Sequence, residues 1–312
     1  MIVSASRSTD IPAYYSSWFM GRIAAGYCLV ANPFDVRRIT RVSLKDENVD
    51  FLVFWTRDPR PLIPSLAELE ARGLRIYFQM TISGYPPELE PGAPPLDEAI
   101  GAMRELICAL GGRRVIWRYD PIFVARPGGA HGPEAPAIDA EWHRRNFEFI
   151  ASGLEGGPER VVFSVLDEYS GTARALERSG YYDTVFGSPR KGEPRAEPLA
   201  LPEPYPALLA DLAAIARSKG MKPTSCAEPF DLSGLGIGSG ACVDQSLACS
   251  IWGEAALSSR AGRKDAGQRE ACRCAPSVDI GSYGSCPRGC AYCYATRGKA
   301  RLLERGPEDE RL

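Results

Sequence analysis

The sequence predicts an α/β protein, a (β/α) barrel of the TIM type, on three observations. Short apolar runs rich in β-branched and aromatic residues recur along the first 225 residues. Helix-patterned stretches separate several of them, and strands alternating with helices build parallel βαβ units; the span suits a barrel of about 250 residues. Polar residues gather at the C-terminal ends of the runs, where a parallel α/β fold places its ligand groups. A doubly wound open sheet is the alternative.

The strand-like runs, in order, are MIVSAS, YCLVANPF (27–34), FLVFWT (51–56), RIYFQMTI (75–82), RVIWRYDPIF (114–123), RVVFSVLD (160–167) and the weaker MKPTS (221–225). Between them lie PLIPSLAELEARG, LDEAIGAMRELICALGG, DAEWHRRNFEFIASGL and EPYPALLADLAAIARSKG. In the last, Leu208, Leu209, Leu212, Ile215 and Ala216 fall on one face at helical spacing, and Gly220 marks the exit. Segments 126–138 and 187–206 are rich in proline and glycine and read as surface loops.

The run ends spell SASRSTD, FWTRDP, YFQMT, IWRYDP, FSVLDEY and TSCAEP. Arg7, Asp10, Arg57, Gln79, Arg118, Asp120, Asp167 and Glu228 would ring one mouth. Each alone reads equally well as a helix cap or a loop closure; their recurrence on strand after strand points to a site. For binding a substrate, Arg118 and Asp120 form the preferred pair, with Arg7, Gln79 and Glu228 behind them. An arginine fork suits a carboxylate or phosphate.

A net charge of −2 removes the main electrostatic argument for a nucleic-acid surface, although it leaves room for a local basic groove. MIVSASRSTD lacks the pattern of a signal peptide, and no run of about eighteen apolar residues suggests a membrane span, so a cytoplasmic location is expected. Two histidines, His131 in a loop and His143 on what reads as a helix surface, argue against a histidine-rich metal site. No nucleophile elbow or phosphate loop is present, and GLGIGSG (234–240) reads as a flexible turn beside a metal site.

The ten cysteines carry the strongest signal. Cys28 and Cys108 sit in apolar contexts and read as small buried hydrophobes. The others crowd the last third of the chain, which in a reducing compartment means metal or redox chemistry. Cys286, Cys290 and Cys293 stand in CPRGCAYCYAT, spaced C-x3-C-x2-C. Three thiolates on one short loop suit three irons of a cubane, leaving the fourth iron open to another ligand. Zinc is the competing reading, with Cys290 and Cys293, or Cys272 and Cys274, as close pairs. Cys226, Cys242, Cys272 and Cys274 remain for a second centre, an auxiliary iron–sulfur cluster or a structural zinc. Cys249 reads as buried and unligated. The chain divides into a barrel body, 1–225, and a cysteine-rich segment, 226–312, that completes the barrel.

CPRGCAYC, with an aromatic residue before its last cysteine, resembles the signature of the radical S-adenosylmethionine (radical SAM) superfamily. The extension CAYCYA is similar to the form in spore photoproduct lyase and its relatives. By that resemblance Cys286, Cys290 and Cys293 ligate a 4Fe-4S cluster, S-adenosylmethionine chelates the unique iron, and Tyr292 lies near the adenine. One electron, delivered by a donor such as flavodoxin or ferredoxin, yields methionine and a 5′-deoxyadenosyl radical that takes hydrogen from the substrate. The superfamily carries its motif after the first barrel strand, whereas here it lies near the end of the chain, preceded by PSVDIGSY (276–283). Circular permutation accounts for this: 276–283 serves as the first strand and MIVSAS continues the barrel. No segment matches the superfamily's contact for the SAM amino group.

Across nearly the whole chain, SASRSTDIPAYY, ANPFDVRRITRVSL, VFWTRDP, QMTISGYP, VIWRYDPI, TSCAEPFDL and CRCAPSVDIGSYGSCPRGCAYCYA are similar to the family catalogued as domain of unknown function number 1848. The expectation is an enzyme acting on a small molecule or peptide. The alternatives are a non-catalytic zinc or electron-transfer protein, and a metal-independent hydrolase using strand-end carboxylates.

Overall fold

The protein is described by a computed structural model covering residues 1–312, except 34, 129–134, 167–169, 184–199, 255–256, 258–262 and 296–300. Asp167 and His131, both singled out above, lie outside the described residues.

The elements run β1 (Ile2–Ala5), α1 (Ile11–Tyr14), α2 (Ser16–Ala25), β2 (Tyr27–Asn32), β3 (Asp35–Ser43), β4 (Phe51–Thr56), α3 (Leu66–Ala71), β5 (Ile76–Thr81), α4 (Leu96–Leu110) and β6 (Val115–Ile122). There follow β7 (Ala125–Pro127), α5 (Ala140–Gly153), β8 (Arg160–Val165), α6 (Ser170–Arg178), β9 (Tyr181–Asp183), α7 (Tyr205–Ser218), β10 (Lys222–Cys226), β11 (Gly238–Gly240), α8 (Gln245–Trp252) and β12 (Val278–Asp279). Eight strands form one sheet in the order β11-β10-β8-β6-β5-β4-β1-β12. Every pairing in it is parallel. From β1 to β11 the order climbs with the chain, and β12 then returns to the other side of β1. The cysteine-rich segment supplies both flanks, β11 beside β10 and β12 beside β1. Among the described residues no hydrogen-bonded pairing joins β11 to β12.

Side chains alternate across each strand with the period of two that a pleat imposes. Val3, Leu52, Phe54, Ile76, Phe78, Val115, Trp117, Val161 and Phe163 enter one cluster, packed with residues of α2, α4, α5 and α7. Their neighbours Ile2, Phe51, Val53, Tyr77, Ile116 and Val162 enter a second, on the opposite face, covered by α8 and residues 272–275. Continuing along that second face toward the strand ends, alternation brings Ser4, Trp55, Gln79, Arg118 and Ser164 into line. The polar run ends therefore continue an apolar face, although Asp10 also caps α1, accepting from the Ala13 N–H at 3.2 Å.

Four expectations are corrected. YCLVANPF forms β2, but it pairs antiparallel with β3 in a separate hairpin outside the main sheet. GLGIGSG is not simply a turn: its end is β11, where Thr224 registers with Gly238. Cys108 is exposed, because α4 buries Ala99, Ala102, Met103, Leu106 and Leu110 and turns position 108 away from that stripe. Cys28 is fully buried as expected, and burial pushes its thiol up to about 12.

The fourth correction is His143, which is buried on α5 rather than at its surface. Its Nε2–H donates to the Phe123 carbonyl at 2.9 Å, a partner that can only accept. Nδ1 is therefore the acceptor for the Tyr119 hydroxyl, also at 2.9 Å, and Asn146 donates to that hydroxyl in turn. Burial lowers the imidazole to about 4 from an ordinary 6.5. The unfolded chain thus takes up a proton that the folded chain refuses between those values. Stability should be complete above pH 6.5 and fall as pH drops toward 4, by about 3 kcal/mol in total if each unit is worth about 1.36 kcal/mol. Urea midpoints across that range should show the slope in the wild type and lose it in His143→Gln.

Candidate functional site

The cysteine loop is placed by β12. Val278 and Asp279 register with Val3 and Ser4 of β1, and the Ile280 N–H donates to the Ser4 carbonyl at 2.9 Å. The Asp279 carboxylate then gathers the start of the chain around itself. It accepts from the Ser4 and Ser6 hydroxyls at 2.6 Å, the Arg7 N–H at 2.7 Å and the Ser8 hydroxyl at 3.2 Å. Gly281 lets the two segments meet: a Cβ there would lie 2.0 Å from the Ser6 hydroxyl oxygen.

Residues 286–293 are fixed by backbone and by two buried ion pairs. Gly92 N–H donates to the Arg288 carbonyl at 3.0 Å, and Ala291 N–H to that of Leu89 at 2.9 Å. Arg288 Nε donates to Asp10 at 2.9 Å, with both side chains buried. Asp10 also accepts from the Thr56 hydroxyl at 2.7 Å and the Arg57 N–H at 3.0 Å, so one carboxylate joins α1, the end of β4 and the cysteine loop. Arg57 pairs with Glu90 at 2.9 Å. The Tyr292 hydroxyl donates to Glu90 and accepts from Arg57, while its ring packs against Phe123 and Tyr85. A cavity of about 380 Å³ is lined by Arg57, Ser83, Tyr85, Glu90 and Leu96.

Cys286, Cys290 and Cys293 are half-buried. Burial pushes the Cys290 thiol up to about 12, against the pull of Arg57, and also raises that of Cys286, reinforced by Asp10. Cys293 and Cys286 each add to the Cys290 shift through space, so the three sulfurs share one neighbourhood. A metal that displaces these protons would overcome that burial penalty, and its own charge provides the means.

The second cysteine set comes together from three stretches of chain. Cys226 ends β10, Cys242 follows β11, and Cys272 and Cys274 lie on the segment covering the second face. The Cys226 and Cys242 sulfurs are 2.8 Å apart. The Cys274 sulfur accepts from the N–H groups of Cys242 and Val243 at 3.3 and 3.4 Å, and that of Cys272 from the Cys274 N–H at 3.5 Å. Hydrogen bonds from Cys242 and Cys272 hold Cys274 far below the usual thiol range, while the same contacts raise those two. Cys249 is half-buried on α8, less enclosed than expected. Among the described residues no three Cys, His, Asp or Glu side chains already stand in a metal-holding arrangement.

The proposed substrate residues border this second set. Arg118 donates to the Cys242 sulfur at 2.7 Å and pairs with Asp120. Gln79 donates to the Cys242 carbonyl at 3.0 Å, as does Tyr77 at 2.6 Å. Arg7 lies over the Trp55 ring at 5.3 Å, feels the charges of Cys274, Cys242 and Asp279, and has its Nη2 buried without a hydrogen-bond partner. Glu228 turns back, accepting from the Ser164 hydroxyl and Val165 N–H at 3.0 and 2.9 Å, which ties β10 to the end of β8. Between Cys226 and Glu228, Ala227 holds φ 55, a left-handed conformation that non-glycine residues rarely adopt.

Sequence reasoning missed Asp279, Glu90 and Arg288. Asp279 does follow the strand-end pattern of the other runs and was recoverable; Glu90, in the proline-rich PPELEP, carries no such mark. Among the described residues no helix is long and apolar enough to cross a membrane. Neither the curated proteins nor the solved structures contain a match to the chain. One family model does match, over residues 2–295, a span that takes in β1, the strand-end residues, both cysteine sets and the β12 segment uniting them. The chain therefore belongs to the family described as Domain of unknown function (DUF1848).

Proposed function

We propose that this protein is a radical SAM-like iron–sulfur enzyme, a permuted (β/α) barrel that closes between β11 and β12 and acts on a substrate held at its mouth. The observation that carries the reading is the position of the cysteine loop. Cys286, Cys290 and Cys293 follow directly on β12, the parallel neighbour of β1, as a motif placed after the first strand of a permuted barrel would. The donor set fits: three half-buried thiols sit on one loop anchored ahead of it by Asp279 and within it by Arg288. A 4Fe-4S cluster bound there would supply the electron for reductive cleavage of S-adenosylmethionine, drawn from a cytoplasmic donor such as flavodoxin or ferredoxin.

The chain's own residues then have separable tasks. Arg57 and Glu90 fix the Tyr292 hydroxyl, and Phe123 and Tyr85 pack against its ring, so the side chain holds one orientation beside the cysteine loop. Arg7 offers an uncommitted N–H to a substrate carboxylate or phosphate. The Arg118–Asp120 pair at the end of β6 is the other candidate substrate contact, with Gln79 and Glu228 bracing the backbone around it. The test is anaerobic reconstitution with iron and sulfide, followed by reduction with dithionite in the presence of S-adenosylmethionine. Formation of 5′-deoxyadenosine is expected; a protein that binds zinc alone and forms none would sink the reading.

A further inference from the structure

Three buried free cysteines and a fourth packed against them, none of them on the 286–293 loop, need their own chemical reason. We propose that Cys226, Cys242, Cys272 and Cys274 form a second metal site, built for a single tetrahedral ion, zinc, that staples the cysteine-rich segment to the inner face of the sheet.

The residues come from three stretches: β10 and β11, which pair in the sheet, and the 272–275 segment, held there by one backbone hydrogen bond, Ala275 N–H to the Val243 carbonyl at 3.0 Å, and by packing on the second face. Cys242, Cys272 and Cys274 are buried, and Cys226 is packed against the same cluster. All four are free thiols. The stretch leading into Cys272, RKDAGQREA (263–271), is polar and has little of its own to bury. Metal–thiolate bonds provide the stability such a segment lacks.

Size decides between one ion and a cluster. With Zn–S bonds of about 2.3 Å, the edge of a thiolate tetrahedron is about 3.8 Å. The Cys226 and Cys242 sulfurs, at 2.8 Å, need to separate by only about an ångström to admit one ion. A cubane binds each cysteine to a different iron and demands a wider spread of all four sulfurs. Cys272 and Cys274, two residues apart with the Cys274 N–H donating back to the Cys272 sulfur, are also held close.

The surroundings suit a centre that four thiolates make doubly negative. Arg118 reaches the Cys242 sulfur at 2.7 Å, and two backbone N–H groups point at the Cys274 sulfur. Gln79 and Tyr77 both hold the Cys242 carbonyl, which fixes the loop from which that sulfur projects. Arg118 on this reading is a positioning residue for the second centre as well as a candidate substrate contact.

The inference does not depend on the cluster at Cys286, Cys290 and Cys293. The test is elemental analysis of the full-length Cys286→Ala/Cys290→Ala/Cys293→Ala protein, purified anaerobically. About one zinc per chain is expected, by the stoichiometry of a four-thiolate site. It should also be released from the unsubstituted protein by a thiol-modifying reagent, a measurement that needs no variant of the four ligands. Cys242→Ser and Cys274→Ser should each lose it. Iron with matching sulfide on the triple variant would overturn the single-ion assignment. A metal-free folded chain, with four titratable thiols or with a mass lowered by a Cys226–Cys242 disulfide, would overturn the site. Failure of S-adenosylmethionine cleavage alone would count against the proposed function and leave this one standing.

Discussion

Cys286→Ala, Cys290→Ala and Cys293→Ala should each reduce 5′-deoxyadenosine formation to the level of a protein-free control, while circular dichroism and the urea midpoint stay near those of the wild type. The three sulfurs lie on one loop and share one neighbourhood, so no member of the set is spare. Half-buried positions tolerate the loss of a sulfur atom with little change in packing. The loop itself is held by other means, the Arg288–Asp10 pair and the backbone contacts to Leu89 and Gly92. Function and folding should therefore separate cleanly. Full product formation in any single variant would dismiss the ligand assignment.

The largest loss of stability is expected at Asp10. Asp10→Ala leaves Arg288, itself buried, without its counter-charge, and removes the acceptor for the Thr56 hydroxyl and the Arg57 N–H. Stranding one member of a buried ion pair costs about 3–5 kcal/mol. Asp10→Asn keeps the shape and most acceptor capacity, so its urea midpoint should fall between the two. An Asp10→Ala protein as stable as the wild type would mean that Arg288 finds other partners. The same variant should loosen the cysteine loop, read as faster proteolysis between 284 and 295.

What the sequence revealed in advance depended on how local the cause was. The runs that became β1, β4, β5, β6 and β8 were legible because each buries two faces and reads as a largely apolar run, whereas the polar KPTSC of β10 was only weakly marked. β3 was not: DVRRITRVS exposes most of its side chains and pairs only with β2, so neither burial nor alternation marks it strongly. His143 looked like surface because its neighbours on α5 are charged, yet the helix turn that carries Phe147 and Ile150 inward carries position 143 with them. The cysteines could be sorted into sets by spacing alone. The residues that hold them in place could not: Asp279 acts on residues about 270 positions away and Glu90 on one 202 away, and no local pattern encodes such partners.

The pairing of β12 with β1 gives the protein a fixed order of birth. Synthesis makes β1 before the other strands of the sheet and β12 after them, so the edge of β1 opposite β4 waits, with its backbone groups unpaired, while the rest of the sheet is built. Only when residues 278–279 emerge can Asp279 close around Ser4, Ser6 and Ser8 and draw the 286–293 loop into position. On the proposed reading, iron meets its three thiolates only after every strand of the sheet has been made. A chain interrupted before that point would contain most of the fold and none of the chemistry.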